Sequence, residues 1–359
     1  MLKSKKSSRF CFLFFCLFIL LFVPSFAFAY DPSSEEFKKY LNALDERFSK
    51  FGWKDIRTRE IHWEYYRTTK QKNPLMFVIF GNNPKSSTLF LGGVHGDELP
   101  SVYLMFKLAH YVKDNPSLFK DKCIVIAPLV NPDGFLAASP TRVNANGIDI
   151  NRNFVTRDWY TSAMNRWIAK GKIKRYYPGA KPGTEQETQF QVALIKRFKP
   201  QKILTVHSPL NMFDYDGPTS DLNSFEKWIE KISREANYPS KKFGYYPGSL
   251  GNYAGHERNI FTLTLELPTS DPKKSRDYFQ KFQPSILKFI TLPVIGSRHN
   301  VRVVDTFEFD KTIYPEYPEQ KKDPFGKLQN SILKIINTFI ARLSANFPTF
   351  DKDKSINKR

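Results

Sequence analysis

Cysteine is scarce in this sequence, which has only three cysteines in 359 residues, at positions 11, 16 and 123. Two of them lie in an apolar segment at the start of the chain, so only Cys123 belongs to the remainder. A chain without that segment can form no internal disulfide, which excludes the small disulfide-stapled class of secreted domains. Because Cys123 begins the apolar run 123–127, we expect a buried, unreactive thiol.

Long apolar runs are also absent, with one exception near the N-terminus. Four positive residues lie among the first nine, residues 10–23 form an apolar run, and Ala27 and Ala29 have the spacing of a cleavage site. This three-part pattern predicts a signal peptide over residues 1–29, cleaved after Ala29. An uncleaved membrane anchor is the alternative, but the run is shorter than the roughly 20 residues that span a bilayer. We therefore expect export to the periplasm or the extracellular space.

Acidic residues are few relative to basic ones. The 35 Asp and Glu against 55 Lys and Arg give a formal charge of +20, which falls to +16 without the four positive residues of the signal peptide. A basic surface suits nucleic acid, anionic lipid or an acidic cell-wall polymer, or it serves solubility alone. For an exported chain we expect no nucleic-acid partner, and peripheral contact with the cell wall or a membrane surface instead.

Residues 30–294 alternate short apolar runs with stretches of helical periodicity and contain no internal repeat. The hydrophobic fraction of 41% is ordinary for a globular protein, which excludes a disordered chain. Strands buried on both faces that alternate with helices predict an α/β fold with a mixed, mostly parallel central sheet and helices on both faces. The predicted strands are 75–80, 88–91, 123–130, 202–206 and 261–267, and the predicted helices are 35–51, 100–112, 185–198 (capped by Thr184), 224–236 and 274–290.

Residues 295–359 form a C-terminal extension of different character. An irregular stretch precedes residues 328–343, whose apolar residues recur at helical spacing, and the chain ends in a basic tail. We expect an amphipathic helix that packs against the domain, with a membrane surface as the alternative partner. The sequence thus predicts three parts, namely a signal peptide (1–29), one globular domain (30–294) and this extension (295–359).

Three side chains with metal-binding chemistry lie where predicted strands end. His95 and Glu98 follow the strand 88–91 after a double glycine, and His207 directly follows the strand 202–206. Two histidines and a glutamate are a common ligand set for catalytic zinc, with the fourth position left for water. In open α/β sheets, sites lie outside the carboxyl ends of strands. Taken alone, the first pair could be an ordinary surface pair, and His207 could be a hydrogen-bonded core histidine.

A further acidic side chain, Glu266, lies in the predicted strand 261–267. Because side chains alternate between the two faces of a strand, Glu266 shares a face with Thr262 and Thr264, opposite the apolar residues. A carboxylate on a buried strand is costly unless it is paired or functional. Glu266 is therefore a candidate general base that activates a water molecule.

A polar segment between these pieces contains Arg142, Asp149, Asn151 and Arg152. A guanidinium matches a carboxylate with two parallel hydrogen bonds, so Asn151 and Arg152 together can hold one. On its own, this segment also fits a solvated loop with two arginines.

Taken together, the motifs resemble the zinc carboxypeptidase family. Their order over residues 75–290 is His-x-x-Glu, Thr-Arg, Asp-x-Asn-Arg-Asn, His-Ser and Thr-x-Glu-Leu, as in that family. Segments 207–218 and 247–255 resemble its bacterial murein tripeptide amidase branch, whose members cut between γ-D-glutamate and a diamino acid in peptidoglycan stem peptides. Two features depart from the pattern. Tyr253 lies where digestive members carry a mobile tyrosine, but its motif differs, and the murein amidase looks cytoplasmic whereas this chain has an export signal.

The resemblance implies a role for each site residue. One zinc ion would be held by His95, Glu98 and His207. Glu266 would be the general base, and Arg142 would stabilise the oxyanion.

The same resemblance makes Asn151 and Arg152 the pair that grips the terminal carboxylate of the substrate. It makes Asp149 the partner that orients the first zinc histidine.

We therefore expect residues 30–294 to form the catalytic domain of an exported zinc metallocarboxypeptidase. Its substrate would be a peptide or muropeptide, cut at the γ-D-Glu–diamino acid bond. A general protein carboxypeptidase with the same zinc site is one alternative, and an inactive wall- or lipid-binding module is another.

Overall fold

A computed structural model describes residues 34–218, 222–241 and 244–293 of the chain. The predicted signal peptide (1–29) and the predicted C-terminal extension (295–359) lie outside these residues, so both stay predictions. None of the helices in the described ranges has the length and apolar character that a membrane crossing requires.

The helices are α1 (Glu35–Lys50), α2 (Leu99–Asp114), α3 (Pro132–Leu136), α4 (Met164–Ala169), α5 (Gln186–Phe198), α6 (Leu222–Glu235) and α7 (Ser275–Thr291). The five predicted helices begin within two residues of their predicted positions, and the short helices α3 and α4 are additions that the sequence analysis did not predict. Ser34 caps α1 by accepting a hydrogen bond from the Phe37 N–H. The predicted Thr184 cap of α5 is wrong, because the N-cap is Glu185, and the Thr184 hydroxyl donates to the Glu185 carboxylate at 2.8 Å.

Eight strands form one sheet in the order β1-β2-β4-β3-β5-β8-β6-β7. Their bounds are β1 (Glu64–Thr68), β2 (Pro74–Phe80), β3 (Ser87–Leu91), β4 (Cys123–Ala127), β5 (Lys202–His207), β6 (Met212–Gly217), β7 (Ser240–Lys241) and β8 (Phe261–Glu266). The central strands β4, β3, β5 and β8 are parallel, whereas β2 and β6 flank them in antiparallel pairing. The prediction of a mixed, mostly parallel sheet is therefore confirmed.

Helices cover both faces of the sheet, as the sequence predicts. On one face, the rings of Phe90 in β3 and Phe289 in α7 meet edge to face, with centroids 5.9 Å apart. On the other face, the rings of Phe77 in β2 and Phe190 in α5 lie 6.2 Å apart. Cys123 is buried in β4, and this burial raises the pKa of its thiol, which favours the unreactive protonated form.

A buried lysine joins the central sheet to the end of α7. Lys202 of β5 is only 3% exposed, and its ammonium donates hydrogen bonds to the carbonyls of Phe289, Ile290 (2.8 Å) and Leu292 (2.7 Å). The last carbonyls of a helix lack intrahelical donors and carry partial negative charge. The lysine supplies the donors, and although burial lowers the pKa of its ammonium to about 7, the protonated form also supplies the opposite charge.

Replacement of this lysine by a neutral isostere should destabilise the fold. We expect Lys202→Met to lower the free energy of unfolding by about 2–4 kcal/mol, because it removes hydrogen bonds from a charged donor and leaves buried carbonyls unpaired. Chemical denaturation followed by circular dichroism measures the change. The control is Lys288→Met on the same helix, which removes only an exposed ion pair with Glu235 (2.9 Å) and should cost about 0–1 kcal/mol. Equal stability of the two variants would contradict the expectation.

Candidate active site

The loop between β3 and α2 carries the first two candidate metal ligands, His95 and Glu98. Gly93 in this loop has a φ of +55°, a backbone conformation that glycine adopts readily. Gly96 lies so close to Gly134 that an added Cβ would be 2.2 Å from the Gly134 backbone. Glycine at these two positions lets the chain turn sharply, so that the side chains of His95 and Glu98 meet just beyond the end of the strand.

The other two chemically important side chains end neighbouring strands. His207 is the last residue of β5, Glu266 is the last residue of β8, and the two are register partners in this parallel pair. Strand β3 pairs with the opposite edge of β5. The three adjacent strands therefore end at one edge of the sheet, where an open α/β sheet places ligand sites.

His95, Glu98 and His207 form a compact buried cluster at this edge. His95 Nδ1 lies 2.7 Å from Glu98 Oε1, His207 Nδ1 lies 2.8 Å from Glu98 Oε2, and the two Nδ1 atoms are 3.1 Å apart. The three residues are only 2%, 3% and 4% exposed. One ligand atom from each lies within 4.8 Å of the others. The structure thus brings together the three predicted ligands.

The chemistry and spacing of this cluster fit a zinc ion. Two imidazole nitrogens and a carboxylate are a usual zinc set. Tetrahedral bonds of about 2.0–2.1 Å place ligand atoms about 3.3 Å apart, close to the separations between these three side chains. The other ring nitrogen of His95, Nε2, lies 3.2 Å from Asp149 Oδ1, so Nδ1 is the nitrogen left for a metal. His207 Nε2 is buried and has no hydrogen-bond partner among the described residues.

Asp149 connects the cluster to the neighbouring arginine. It is fully buried, and its Oδ2 accepts a hydrogen bond from Arg142 Nε at 2.8 Å, while Oδ1 faces His95. Burial alone would favour the neutral acid, but attraction to Arg142 and His95 holds the pKa of Asp149 well below its usual range. A permanently charged Asp149 can orient both partners at once.

Arg142 is a cation held beside the candidate metal ligands. Its Nη1 is 3.3 Å from Glu98 Oε1, and its guanidinium lies over the Tyr176 ring, 5.3 Å from the centroid. Its Nε donates to Asp149, and its Nη2 has no hydrogen-bond partner among the described residues. A fixed cation with a free donor suits the stabilisation of a developing negative oxygen.

Glu266 has the environment of a proton acceptor that works near neutral pH. It is 9% exposed, and its Oε2 accepts a weak hydrogen bond from the Leu210 N–H at 3.4 Å. Burial, and then repulsion by the Glu98 charge, raises the pKa of Glu266 to about 7. Such a carboxyl group can both accept and return a proton at neutral pH.

Arg152 has the free hydrogen-bonding capacity that binding of a substrate carboxylate requires. Its guanidinium lies over the Tyr246 ring, 4.7 Å from the centroid, and Nη1 donates to the Asn151 carbonyl at 2.6 Å. No carboxylate among residues 34–218, 222–241 and 244–293 forms an ion pair with it. Most of its planar set of donors thus remains available.

Two hydrogen bonds fix the turn that carries this arginine. The Leu250 N–H donates to Asn151 Oδ1 at 2.9 Å, and the buried Trp159 indole donates to the Arg152 carbonyl at 2.7 Å. These bonds position the Asn151–Arg152 pair before any ligand arrives.

Sequence analysis assigned no role to the two aspartates of β6, or to Tyr246. Asp214 is the register partner of Thr264 in β8, and the Thr264 hydroxyl donates to Asp216 Oδ2 at 2.6 Å. Burial, followed by repulsion from Asp214, raises the pKa of Asp216 to about 8. The available sequence signal was two acidic residues at strand spacing between aromatic residues. Tyr246 had no comparable local signal.

Candidate metal ligands, a carboxyl group with a raised pKa and two arginines with available donors are the parts that a hydrolytic site requires. The zinc carboxypeptidase family matches residues 63–286, which include all of these side chains. The chain belongs to the zinc carboxypeptidase family. Its activity is therefore that of a peptidase-type or amidase-type hydrolase.

Several known proteins are similar to this zinc carboxypeptidase. Murein peptide amidase A of Escherichia coli (strain K12) is 29% identical over 230 residues, which cover 63% of this chain and 89% of that protein. Murein peptide amidase A of Vibrio campbellii is 30% identical over 203 residues, or 54% and 75% of the two chains. A chain in the structure of bovine thrombin-activatable fibrinolysis inhibitor in complex with tick carboxypeptidase inhibitor aligns with a TM-score of 0.55 at 17% identity, covering 71% and 94%. This last likeness supports the fold alone.

Loss of the Asp149 charge should weaken metal binding without removing a metal ligand. We expect Asp149→Asn to lower zinc affinity by about 10–100-fold, because partners that orient a ligating histidine have effects of that size. Competition with a chromogenic chelator measures the affinity. Asp114→Asn, at an exposed carboxylate on α2, is the matched control and should bind zinc like the unaltered protein. Equal affinity of all three proteins would show that Asp149 does not support the metal site.

Proposed function

We propose that this chain is an exported zinc metallocarboxypeptidase that hydrolyses the γ-D-Glu–diamino acid bond of peptidoglycan stem peptides. The buried cluster of His95, Glu98 and His207, with Glu266 and Arg142 beside it, is the observation that carries the proposal. Two relatives that are named murein peptide amidase A support the choice of substrate. The N-terminal pattern over residues 1–29 supports export to the periplasm or the extracellular space.

Zinc is the ion that the three clustered side chains would hold. When bound, it would supply Lewis-acid chemistry that polarises the scissile carbonyl and makes a water molecule a better nucleophile.

Glu266 performs the proton transfers of the reaction. Its carboxylate accepts a proton from the attacking water and returns a proton to the leaving amine nitrogen. A pKa raised to about 7 by burial and by the Glu98 charge suits both steps, since neither protonation state is strongly favoured at neutral pH.

Two arginines bind the negatively charged oxygens of the reacting substrate. Arg142 donates to the oxygen on which negative charge develops, since Asp149 sets its position and its Nη2 has no hydrogen-bond partner within residues 34–218, 222–241 and 244–293. Arg152, supported by Asn151, binds the free carboxylate at the end of the substrate, which restricts cleavage to the last amide bond.

Replacement of the base should separate binding from chemistry. We expect Glu266→Gln to retain stoichiometric zinc and normal binding of substrate while it loses nearly all turnover, because the amide cannot accept the proton. Elemental analysis, calorimetry and a peptide-release assay measure the three quantities. The matched control is His207→Ala, which should lose tight zinc binding as well as turnover. Turnover by Glu266→Gln at a rate near that of the unaltered enzyme would exclude Glu266 as the base.

A substrate comparison tests the proposed function directly. We expect kcat/KM for release of the diamino acid from a stem tripeptide to exceed that for α-linked L-peptides ending in Phe, Lys or Glu by at least about 10²-fold. The reason is that a γ-linked D-residue displaces the scissile bond, and a shift of about 1 Å costs roughly that factor. Product masses identify the bond that is cut.

A tripeptide with an amidated C-terminus is the control for Arg152 and should be cut poorly. Faster cleavage of any α-linked peptide would replace this proposal with a general protein carboxypeptidase. If the zinc-loaded protein cleaves no substrate, the alternative of an inactive wall- or lipid-binding module replaces this proposal.

A further inference from the structure

A cavity lies beside Arg142, the arginine proposed to stabilise the oxyanion. Its volume is about 610 Å³, and its wall includes Arg142, which lies 3.3 Å from Glu98 of the metal cluster, and Asp97, which precedes Glu98 in the chain. Its other walls include Thr141, Trp167, Lys174 and Arg175. None of the carboxylate-binding residues lines it, so this space is distinct from the end of the site that holds the substrate's C-terminus.

The position of the cavity determines which part of a substrate can enter it. With the terminal carboxylate on Arg152 and the scissile carbonyl between the metal ligands and Arg142, the acyl side of the substrate leaves the site past Arg142. The cavity therefore receives the residue whose carbonyl is attacked, rather than the residue that is released.

The rim of the cavity is strongly basic. Arg142 and Arg175 line the cavity, and they lie 5.3 Å and 5.5 Å from the centroid of the Tyr176 ring, which is next to the wall residue Tyr177 and also has Lys170 at 5.7 Å. Lys174 adds a fourth positive charge and forms no ion pair with the described residues. Because Arg142 is paired with Asp149 and Glu98, and Arg175 with Asp97, the positive charge left for a ligand is that of Lys174, with Arg175 beside it.

The cavity also contains one hydrogen-bond acceptor that lacks a donor. Asp97 Oδ2 is bound by Arg175 Nη1 at 3.2 Å, but Asp97 Oδ1 is buried and has no hydrogen bond with any described residue. The wall that presents these groups is tied to the metal site, because the Asp149 N–H donates to the Tyr177 carbonyl at 2.8 Å. An acceptor and a basic rim therefore lie at a fixed place relative to the scissile bond.

We propose that this cavity recognises a carboxylate on the acyl-side residue of the substrate, with Lys174 and Arg175 as its binding groups. Glutamate joined through its γ-carboxyl group is the residue that fits best, because its α-carbon carries both a free carboxylate and an amide N–H. The carboxylate meets Lys174 and Arg175, and the N–H faces Asp97, the acidic residue of the same wall. This inference rests on the proposed function for the direction in which the substrate binds.

Two substrates that differ at one group test the inference. One is the stem tripeptide with a free α-carboxylate on its γ-D-Glu, and the other carries an α-carboxamide there. We expect the zinc-loaded enzyme to prefer the carboxylate by about 10-fold in kcat/KM, as for a charge-assisted hydrogen bond that is partly exposed to solvent. In the double variant Lys174→Gln/Arg175→Gln this preference should fall below about 3-fold.

The matched control is Lys172→Gln. Lys172 is exposed, lies two residues before Lys174 and does not line the cavity, so its replacement should leave the preference unchanged. The inference is overturned if the unaltered enzyme shows no preference, if the double variant keeps it, or if Lys172→Gln reduces it as strongly.

A second pair of substrates is α-linked and carries Glu or Gln before the scissile bond. This pair separates a failure of the proposed function from a failure of the proposed carboxylate recognition. If α-linked peptides are cut faster than the stem tripeptide, the proposed function fails. The ratio of Glu to Gln in the α-linked pair then decides whether the cavity recognises a carboxylate.

Discussion

The candidate site depends on one buried carboxylate. Asp149 has no solvent exposure, yet it remains charged because Arg142 and His95 compensate for its burial. The turn that follows it carries Asn151 and Arg152, and its side chain also accepts the Asn151 N–H at 3.1 Å. The interactions that keep Asp149 ionised therefore set the distance between the His95–Glu98–His207 cluster, Arg142 and Arg152. A change at this carboxylate would disturb the positions of all three.

The hydrophobic core fixes the other half of the site through the alternation of side chains in strands. Leu263 and Leu265 of β8 lie in the core between the sheet and its helices, which leaves Thr264 and Glu266 on the opposite face. A shift of register by one residue would bury Glu266 among apolar side chains and expose leucine to the site. Because that exchange is very unfavourable, apolar burial alone keeps the base in register with His207 of β5.

The parts that could be predicted from sequence are those that depend on local pattern. Strands β3 and β5 are mostly apolar and β8 alternates apolar residues with threonine, so His207 and Glu266 stand out as the ionisable residues at the ends of β5 and β8. Strand β6 could not be predicted in this way, because two aspartates interrupt its apolar pattern and the Thr264 hydroxyl that partly compensates for them lies 48 residues further along the chain. The Thr184 cap failed for a related reason, since Asn153, 31 residues earlier in the chain, donates to the Thr184 hydroxyl at 3.4 Å and accepts from the Glu185 N–H at 3.2 Å. Contacts such as Tyr246 on Arg152 arise only in the folded chain.

Trp159 has a consequence for how this molecule can be observed. Its indole is hydrogen-bonded to the carbonyl of Arg152, while a second indole, Trp167, lies in the wall of the cavity beside Arg142. Indole fluorescence responds to nearby charge and to exclusion of water. The chain therefore carries natural optical reporters at the two ends of the path that a substrate would occupy. Occupation of either end should therefore change the emission of the nearer indole, on top of the emission of Trp53, Trp63 and Trp228, even where no bond is cut.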